Sequence, residues 1–204
     1  MQLVIADKRY SSWSLRGWLA VQLAGEPCEE VMVRLYQPDT RARILAHSAS
    51  GKVPLLKTEH GTVADSLAIA EYLAERHPAL WPRDVAARAQ ARSACAQMHS
   101  GFMALRAAMP FDLRRDQALV PTPAEVLADI DRVVALWAEC RASKASDGPW
   151  LFGELSLADA FFAPVAVRLR TYRVALPAEA AAYVDTLYQW PAFQAWQQAG
   201  LEET

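Results

Sequence analysis

Cysteine and histidine are scarce in this chain, and their scarcity narrows its chemistry. The three cysteines among 204 residues lie far apart, at positions 28, 95 and 140, and none forms a CxxC pair. This spacing excludes a disulfide framework and a dithiol redox motif, and it predicts a reducing compartment. The four histidines, at positions 47, 60, 77 and 99, show no ligand spacing, so we predict no metal site.

Long apolar runs and a strong net charge are missing as well. No stretch reaches the roughly 18 apolar residues that a membrane span requires, and residues 1–8 lack the basic and apolar segments of a signal peptide. The net charge of −2 provides no global field that would recruit nucleic acid or an anionic membrane. We therefore predict a cytoplasmic protein without nucleic-acid or membrane partners.

The first 77 residues alternate short apolar strands with helices. The predicted order is βαβαββα: strand 3–6, a helix ending at Gly25, strand 31–35, a weaker helix from 38 to 47, a strand entered through Pro54, a return strand from Thr62 and a helix from Asp65. A helical crossover makes the first two strands parallel, and the last two form a hairpin. These features predict a thioredoxin-like domain with a mixed sheet over residues 1–77.

The rest of the chain is predicted to be helical, after a linker at residues 78–83 whose prolines cannot lie inside a helix. This predicted all-helical domain covers residues 84–204. Its predicted helices are one long helix from Asp84 to about Met109, helices 124–143 and 160–173, and two shorter helices after Pro177 and Pro191.

The most informative stretch is GKVPLL at residues 51–56, followed by Asp65-Ser66 at the start of a helix. If the Val53–Pro54 bond is cis, the N–H and C=O of Val53 turn outward, where an extended peptide can pair with them. The free N–H groups of the helix start attract a carboxylate, while Asp65 can hold an ammonium. The combination suits a small peptide with an amino-acid head, such as glutathione. The alternative is a proline-initiated strand followed by an ordinary capped helix.

The segments GKVPLL and ADSLAIAEYL together resemble the glutathione-binding half of the glutathione S-transferase family. In that family the residue before a cis-proline binds the cysteinyl backbone, a role that falls on Val53 beside Pro54. The acid–serine pair that holds the γ-glutamyl end falls on Asp65 and Ser66. The resemblance implies glutathione as a co-substrate, a homodimer, no metal, and a role in detoxification.

The second half carries a further resemblance to this family. Leu155-Ser156-Leu157-Ala158-Asp159 has the pattern of a capping box with Asp as the reciprocal group. It resembles the buried N-capping box of the family's core helix, so Ser156 and Asp159 are predicted to be structural. Replacing either with alanine is expected to lower stability by about 1 kcal/mol or more.

A glutathione transferase must stabilise the thiolate, because the thiol is a poor nucleophile at neutral pH. A hydroxyl near a helix N-terminus can do this, and SSWSLR at residues 11–16 resembles the S-S-x-S-x-R signature of zeta-like serine transferases. Aligned on the arginine, the catalytic serine falls on Ser11, with Ser12 second and Tyr10 third. The alternative is that these hydroxyls only cap the helix.

The sequence departs from the zeta-class isomerases at two positions. Trp13 stands where they carry cysteine, and their substrate-binding arginine falls on Thr171, although Arg168 and Arg170 are close in sequence. Both departures disfavour maleylacetoacetate isomerisation. Ser11 stands where the omega and glutaredoxin-like branches need cysteine, which disfavours thiol–disulfide exchange.

The remaining candidates concern the glycyl carboxylate and the second substrate. Lys52 is predicted to bind the carboxylate, with His47 as the alternative. The electrophile pocket is predicted between the two halves, lined by Trp13, His99, Met103 and Arg106, although residues such as Met103 and Phe102 are more often plain core. A cation at Arg106 would favour an anionic or carbonyl-bearing electrophile.

The leading interpretation is a serine-type glutathione S-transferase that conjugates glutathione to small hydrophobic electrophiles. It would act by binding, orientation and thiolate stabilisation. Two alternatives stay open: a non-catalytic binding or interaction protein of the same fold, and a glutathione-dependent isomerase or dehalogenase.

Overall fold

A mixed sheet flanked by helices forms the N-terminal part of the computed structural model, which describes residues 1–144 and 146–203. Its elements are β1 (Gln2–Ala6), α1 (Ser12–Ala24), β2 (Glu29–Val33), α2 (Thr40–Leu45), β3 (Leu55–Thr58), β4 (Gly61–Ala64) and α3 (Ser66–Arg76). The strand order is β2-β1-β3-β4. Strands β1 and β2 are parallel, and the other neighbouring pairs are antiparallel. The predicted βαβαββα order and mixed sheet are confirmed.

Alternate side chains of β1 face two different layers. Leu3 and Ile5 are buried in the larger core, which includes residues of α1 and α3. Val4 is buried instead with Ile44 of α2. Because successive strand residues point to opposite faces of a sheet, α1 and α3 cover one face and α2 covers the other. This is the predicted thioredoxin-like arrangement.

Helices form the second part of the chain, after a short 3₁₀ helix at Pro78–Leu80. They are α4 (Val85–Ser100), α5 (Met103–Ala108), α6 (Ala124–Ala142), α7 (Leu157–Thr171), α8 (Ala178–Gln189) and α9 (Pro191–Glu202). Helix α7 is buried along nearly its whole length and contacts α1, α4 and α8. Residues 145 and 204, which fall within the predicted helical domain 84–204, lie outside the described residues.

The predicted single helix from Asp84 to about Met109 is wrong, because the chain breaks at Gly101 and Phe102. Gly101 has extended backbone (φ −109°, ψ −166°), and Phe102 lies in the left-handed region with φ 57°. A Cβ atom on Gly101 would lie 2.7 Å from the carbonyl oxygen of Gln97. That contact is too short for any larger residue, so the break depends on glycine.

The helix that follows the break has its own N-terminal support. A buried carboxylate oxygen of Asp129, on α6, accepts the backbone N–H of Leu105 at 3.1 Å. This contact satisfies one of the free donors that every helix start exposes. Helix α5 carries Met103 and Arg106, so the break determines where these two predicted pocket residues lie.

The start of α7 is fixed by the capping box of Ser156 and Asp159. One carboxylate oxygen of Asp159 accepts the Ser156 N–H at 2.9 Å and the Ser156 hydroxyl at 3.2 Å. The other accepts the Leu151 N–H at 3.2 Å and the Tyr183 hydroxyl at 3.0 Å. These four contacts tie the helix start to a loop and to α8, which is a structural role.

Three further features of the described residues bear on function. Within residues 1–144 and 146–203, no helix has both the length and the apolar character to cross a bilayer. The same residues contain no group of three or more His, Cys, Asp or Glu side chains that could hold a metal ion. Cys28, Cys95 and Cys140 are free thiols, and the last two are buried.

Candidate functional site

A cleft of about 640 Å³ opens where the loop before α1 meets the entry of β3 and the start of α3. It brings together all the residues predicted to bind glutathione and all three predicted hydroxyls. The lining includes Tyr10, Ser11, Ser12, Trp13, Lys52, Val53, Pro54, Asp65 and Ser66. Residues more than 50 positions apart in sequence therefore share one surface.

The wall of the cleft at Val53 is a free stretch of backbone. The Val53–Pro54 peptide bond is cis, and the β3 ladder begins only at Leu55. Within the described residues no backbone hydrogen bond engages the N–H or C=O of Val53. A Cβ on Gly17 of α1 would lie 2.9 Å from Pro54, so α1 packs directly against this turn. An extended peptide could pair with the Val53 backbone as an added strand.

The opposite wall is the start of α3. Asp65 is the N-cap, with φ 88° and ψ 141°, and one of its carboxylate oxygens accepts the Leu67 N–H at 2.7 Å. The hydroxyl oxygen of Ser66 is buried and has no hydrogen-bond partner in the described chain. Ser66 also lines the cleft. A buried hydroxyl without a partner is uncommon, and here it is available to a ligand carboxylate.

The hydroxyl of Ser11 is already engaged. Ser11 is the buried N-cap of α1: its Oγ accepts the N–H of Ser14 at 3.2 Å and donates to Ser14 Oγ at 2.8 Å. Ser14 Oγ also accepts the N–H of Ala6 at 2.9 Å. This network connects the end of β1 to the start of α1, so Ser11 has a structural role whatever else it does.

The hydroxyl of Ser12 is differently placed. It accepts a hydrogen bond from the guanidinium of Arg168 at 3.3 Å, and its own proton has no acceptor among the described residues. Ser12 lines both this cleft and a second cavity described below. Tyr10 precedes both serines in the loop, with its ring edge-on to Tyr36 at a centroid distance of 5.8 Å.

The second cavity, about 330 Å³, lies between the two halves of the chain. Its lining is Ser12, Trp13, Arg16, Met98, Met103, Arg106, Ala107, Pro164 and Arg168. Three of the four residues predicted for the electrophile pocket are in this set, and the ring of the fourth, His99, stands edge-on to the Trp13 ring. Met103 is 65% exposed, so it is not a core residue.

Three arginines make this second cavity strongly cationic. Arg16 and Arg168 are buried, and within the described residues none of Arg16, Arg106 and Arg168 has a carboxylate within ion-pair distance. Burial and the neighbouring Arg106 lower the pKa of Arg16 to about 9 and that of Arg168 to about 10. Burial also lowers the pKa of Arg106. All three guanidinium groups still carry their charge at neutral pH.

The three guanidinium groups are held in place by neutral partners. Arg16 stacks over the Trp13 ring at 4.0 Å, and its Nε has no hydrogen-bond partner in the described chain. Arg106 donates to the backbone carbonyls of Met98 and His99 at the end of α4. Because these neighbours carry no negative charge, the cavity keeps a positive potential.

Arg168 was considered from the sequence only as a neighbour of Thr171, and the structure shows that it lines the cavity. Its Nε donates to the Met109 carbonyl at 2.9 Å and one Nη donates to the Pro164 carbonyl at 3.2 Å. Arg170 instead pairs with Asp185 on the surface. Arg168 directly follows an unbroken apolar run at residues 160–167, and a charged residue next to such a run is a signal that would have singled it out.

Lys52 is the only cationic side chain that lines the cleft among the described residues. It is exposed, and no carboxylate of the described chain lies within ion-pair distance. The alternative, His47, does not line the cleft, and its Nδ1 lies 3.1 Å from Nζ of Lys57.

Comparison with known proteins gives two matches that each cover part of the chain. Residues 10–76 match the model of the "Glutathione S-transferase, N-terminal domain". A stretch of 96 residues is 32% identical to a "Probable maleylacetoacetate isomerase" of Caenorhabditis elegans. That alignment covers 46% of this chain and 44% of the relative, so it spans less than half the length of each protein.

Solved structures of the same fold cover almost the whole chain. A glutathione transferase homolog from Burkholderia gl BGR1 with bound glutathione has a TM-score of 0.73 and 23% identity over 99% of this chain and 98% of its own. The holo structure of a maleyl pyruvate isomerase, a bacterial glutathione S-transferase in the Zeta class, has a TM-score of 0.76 and 23% identity over 100% of both chains. These similarities confirm the predicted fold class, a thioredoxin-like domain followed by a helical domain.

Proposed function

We propose that this chain, whose residues 10–76 match the glutathione S-transferase N-terminal domain and whose fold is that of solved transferases, adds the glutathione thiolate to a small electrophile that carries a carboxylate. One observation carries the proposal. The cleft with a free backbone edge and a helix start meets the three-arginine cavity at Ser12 and Trp13, which line both, and of these two Ser12 carries the hydroxyl. A thiolate and its acceptor could therefore meet at this residue.

Glutathione is proposed to lie along the cleft in an extended conformation. Its cysteinyl backbone pairs with the N–H and C=O of Val53. The γ-glutamyl carboxylate lies at the start of α3, near the Ser66 hydroxyl, and the ammonium faces Asp65. Lys52 is positioned to bind the glycyl carboxylate. The unpaired backbone at Val53 and the buried, unpartnered hydroxyl of Ser66 support this placement.

The hydroxyl of Ser12 is proposed to stabilise the thiolate. Its proton is free to donate to sulfur, whereas the proton of Ser11 is already directed to Ser14. Arg168 donates to Ser12 Oγ, and its positive charge stabilises an anion that forms beside the hydroxyl. The motif alignment favours Ser11, so the two serines make different predictions, which are tested below.

The electrophile is proposed to be anionic because of the three arginines. Charged groups buried without a partner are unfavourable, and they are usually paired. A carboxylate on the second substrate would supply that partner to Arg16, Arg106 and Arg168. It would also hold the reactive carbon next to Ser12, which favours reaction by proximity. A plain hydrophobic pocket would need none of these charges.

A second candidate function, cis–trans isomerisation of an unsaturated acid, follows from the same first step. The thiolate adds to one alkene carbon, the π electrons move onto the conjugated carbonyl as an enolate, and the former double bond can rotate. Elimination returns the electrons, restores the alkene and releases the thiolate unchanged. The arginines favour this reaction, and two similar proteins are named as a probable maleylacetoacetate isomerase and a maleyl pyruvate isomerase. The substitutions at Trp13 and Thr171 count against it.

The proposal is tested with purified protein by calorimetry and by turnover. We expect glutathione to bind, and we expect glutathione addition to an enoic acid to be faster than addition to its methyl ester. Addition without return of the alkene identifies a transferase, while a change of alkene geometry without loss of glutathione identifies an isomerase. Binding without either reaction would support the non-catalytic alternative. The absence of glutathione binding would contradict the proposal altogether.

The oligomeric state is proposed from the family resemblance alone. A homodimer is the expected assembly, and sedimentation equilibrium of the full chain should give about twice the mass of 22.6 kDa. A monomer at micromolar concentration would contradict this expectation without affecting the proposed chemistry.

A further inference from the structure

His99 joins the helical part of the chain to the glutathione cleft, although it lines neither cavity. It lies in the last turn of α4, and its Nε2 is 3.1 Å from a carboxylate oxygen of Asp65 at the start of α3. Its ring stands edge-on to the Trp13 ring at a centroid distance of 5.2 Å. One side chain therefore touches the residue proposed to bind the ammonium and an aromatic wall of both cavities.

The carboxylate of Asp65 is held at both of its oxygens. One oxygen accepts the Leu67 N–H, as the cap of α3, and the other faces His99. The backbone of Asp65 has φ 88°, a conformation that non-glycine residues seldom adopt. Because such backbone persists only where surrounding contacts hold it, the contacts of Asp65 with His99 and with the Leu67 N–H supply that support.

The charges that face His99 come from three elements. Asp65 lies on the cleft side, Arg16 projects from α1, and Arg106 projects from α5 and donates to the His99 carbonyl. Burial lowers the pKa of His99; Asp65 opposes this shift, and the two arginines add to it. The lowered pKa favours the neutral imidazole, and Nε2 is the ring nitrogen that faces the Asp65 carboxylate. Its buried Nδ1 has no hydrogen-bond partner in the described chain.

We propose that His99 is a positioning residue for the glutathione ammonium: it orients the Asp65 carboxylate through a neutral N–H donor and leaves the full negative charge available to the ligand. This inference rests on the proposed glutathione site. It also predicts a dependence on pH. A second proton on His99 would turn the Asp65–His99 contact into an ion pair with no net charge, and the ammonium would lose its partner.

The sign of the pH effect follows from the direction of the His99 shift. Glutathione affinity should be constant near neutral pH and should fall as the pH drops below the ordinary histidine value of about 6.5. An analogue in which a hydrogen atom replaces the γ-glutamyl ammonium group has no ammonium to interact with Asp65. Its affinity should not show this acidic decline.

Two variants separate the contribution of the His99 N–H donor to binding from that of its aromatic ring. His99→Gln keeps an N–H donor that does not titrate, and His99→Phe keeps the ring against Trp13 but removes the donor. Calorimetric titrations with glutathione and with the deaminated analogue, at several pH values from about 5 to 8, measure each contribution. Thermal melting of each variant checks that it is folded.

The expected results are specific to the ammonium. His99→Phe should weaken glutathione binding about tenfold at pH 7, with little effect on the deaminated analogue. His99→Gln should bind glutathione nearly as tightly as the wild type at pH 7, and it should lose the decline at low pH. An equal loss for both ligands in His99→Phe, or an unchanged acidic decline in His99→Gln, would overturn the inference. Failure of the wild-type protein to bind either ligand would overturn the proposed function itself.

Discussion

The two cavities that meet at Ser12 and Trp13 are built in different ways. The cleft relies on backbone and short polar groups, namely the free edge at Val53, the start of α3 and the Asp65 carboxylate. The second cavity relies on three long guanidinium side chains from α1, α5 and α7. Short runs of sequence form the walls of the first, whereas only the packing of distant helices assembles the second.

This difference indicates that the cleft recognises glutathione and that the second cavity selects the electrophile. A backbone edge and a helix start recognise features that every γ-glutamyl peptide shares, so they suit a constant ligand. Side chains contributed by separate helices can change one at a time, so they suit the choice of a second substrate. Substitutions in the cleft should therefore change glutathione affinity, and substitutions in the arginine cavity should change the preference among electrophiles.

The largest effect is expected at Ser12, because this residue lines both cavities and its hydroxyl is proposed to stabilise the thiolate. Ser12→Ala should lower turnover about 100-fold, because loss of one donor to a developing anion has an effect of that order. Glutathione affinity, measured by calorimetry, should change little. Ser11→Ala should chiefly remove the α1 cap and lower stability by about 1 kcal/mol in thermal or urea unfolding. A larger loss of turnover in Ser11→Ala than in Ser12→Ala would make Ser11 the thiolate partner.

The next effect concerns charge in the second cavity. Arg168→Met should raise KM for an enoic acid about 30-fold, because a buried charge-assisted contact is lost. KM for the methyl ester should be nearly unchanged. Arg170→Met, on the same helix but paired with Asp185 at the surface, is the matched control. An equal rise of KM for the acid and the ester would mean that Arg168 shapes the cavity without recognising the carboxylate.

A smaller effect, confined to the glutathione cleft, is expected at Asp65. Asp65→Asn retains an oxygen to cap α3 but loses the charge, so the Kd for glutathione should rise about tenfold. At saturating glutathione, KM for the acid should stay the same. Glu71→Gln, which removes a carboxylate from the same helix where it pairs with Arg92, is the control. A change in electrophile preference in Asp65→Asn would show that the cavities are not independent.

The smallest effect is expected at Lys52, because its side chain is exposed. Lys52→Gln should raise the Kd for glutathione only about threefold, and the difference should shrink as salt is added. Lys57→Gln, which removes a lysine that contacts His47, is a matched control. A threefold change that persists at high salt would argue against a charge interaction with the glycyl carboxylate.

Local sequence signals predicted most of the N-terminal fold and the start of α7. Alternating apolar residues indicate strands, and a crossover helix determines which strands are parallel, so the mixed sheet could be predicted from the order of elements. The Ser156–Asp159 box needs only four consecutive residues. The cleft-lining positions of the GKVPLL and Asp65-Ser66 segments could be predicted in the same way, because they depend on each segment's own backbone and its nearest neighbours in sequence.

The structure could not be predicted where contacts between residues distant in sequence determine it. Helical periodicity continues past residue 100, but a backbone clash with Gln97 makes Gly101 necessary, and the Asp129 carboxylate supports a new helix start. The sequence offered Gly101 as the only local sign of that break. In the same way, nothing adjacent to Arg168 says that its side chain reaches Ser12. These contacts depend on how α6 and α7 pack.

The most direct test of the account is a crystal structure of the protein with S-(1,2-dicarboxyethyl)glutathione, which carries the tripeptide and two carboxylates on sulfur. We predict that the tripeptide backbone pairs with Val53, the ammonium contacts Asp65, and the added carboxylates bind Arg106 and Arg168. A tripeptide bound elsewhere, or a dicarboxyethyl group directed into solvent away from the arginines, would contradict the account.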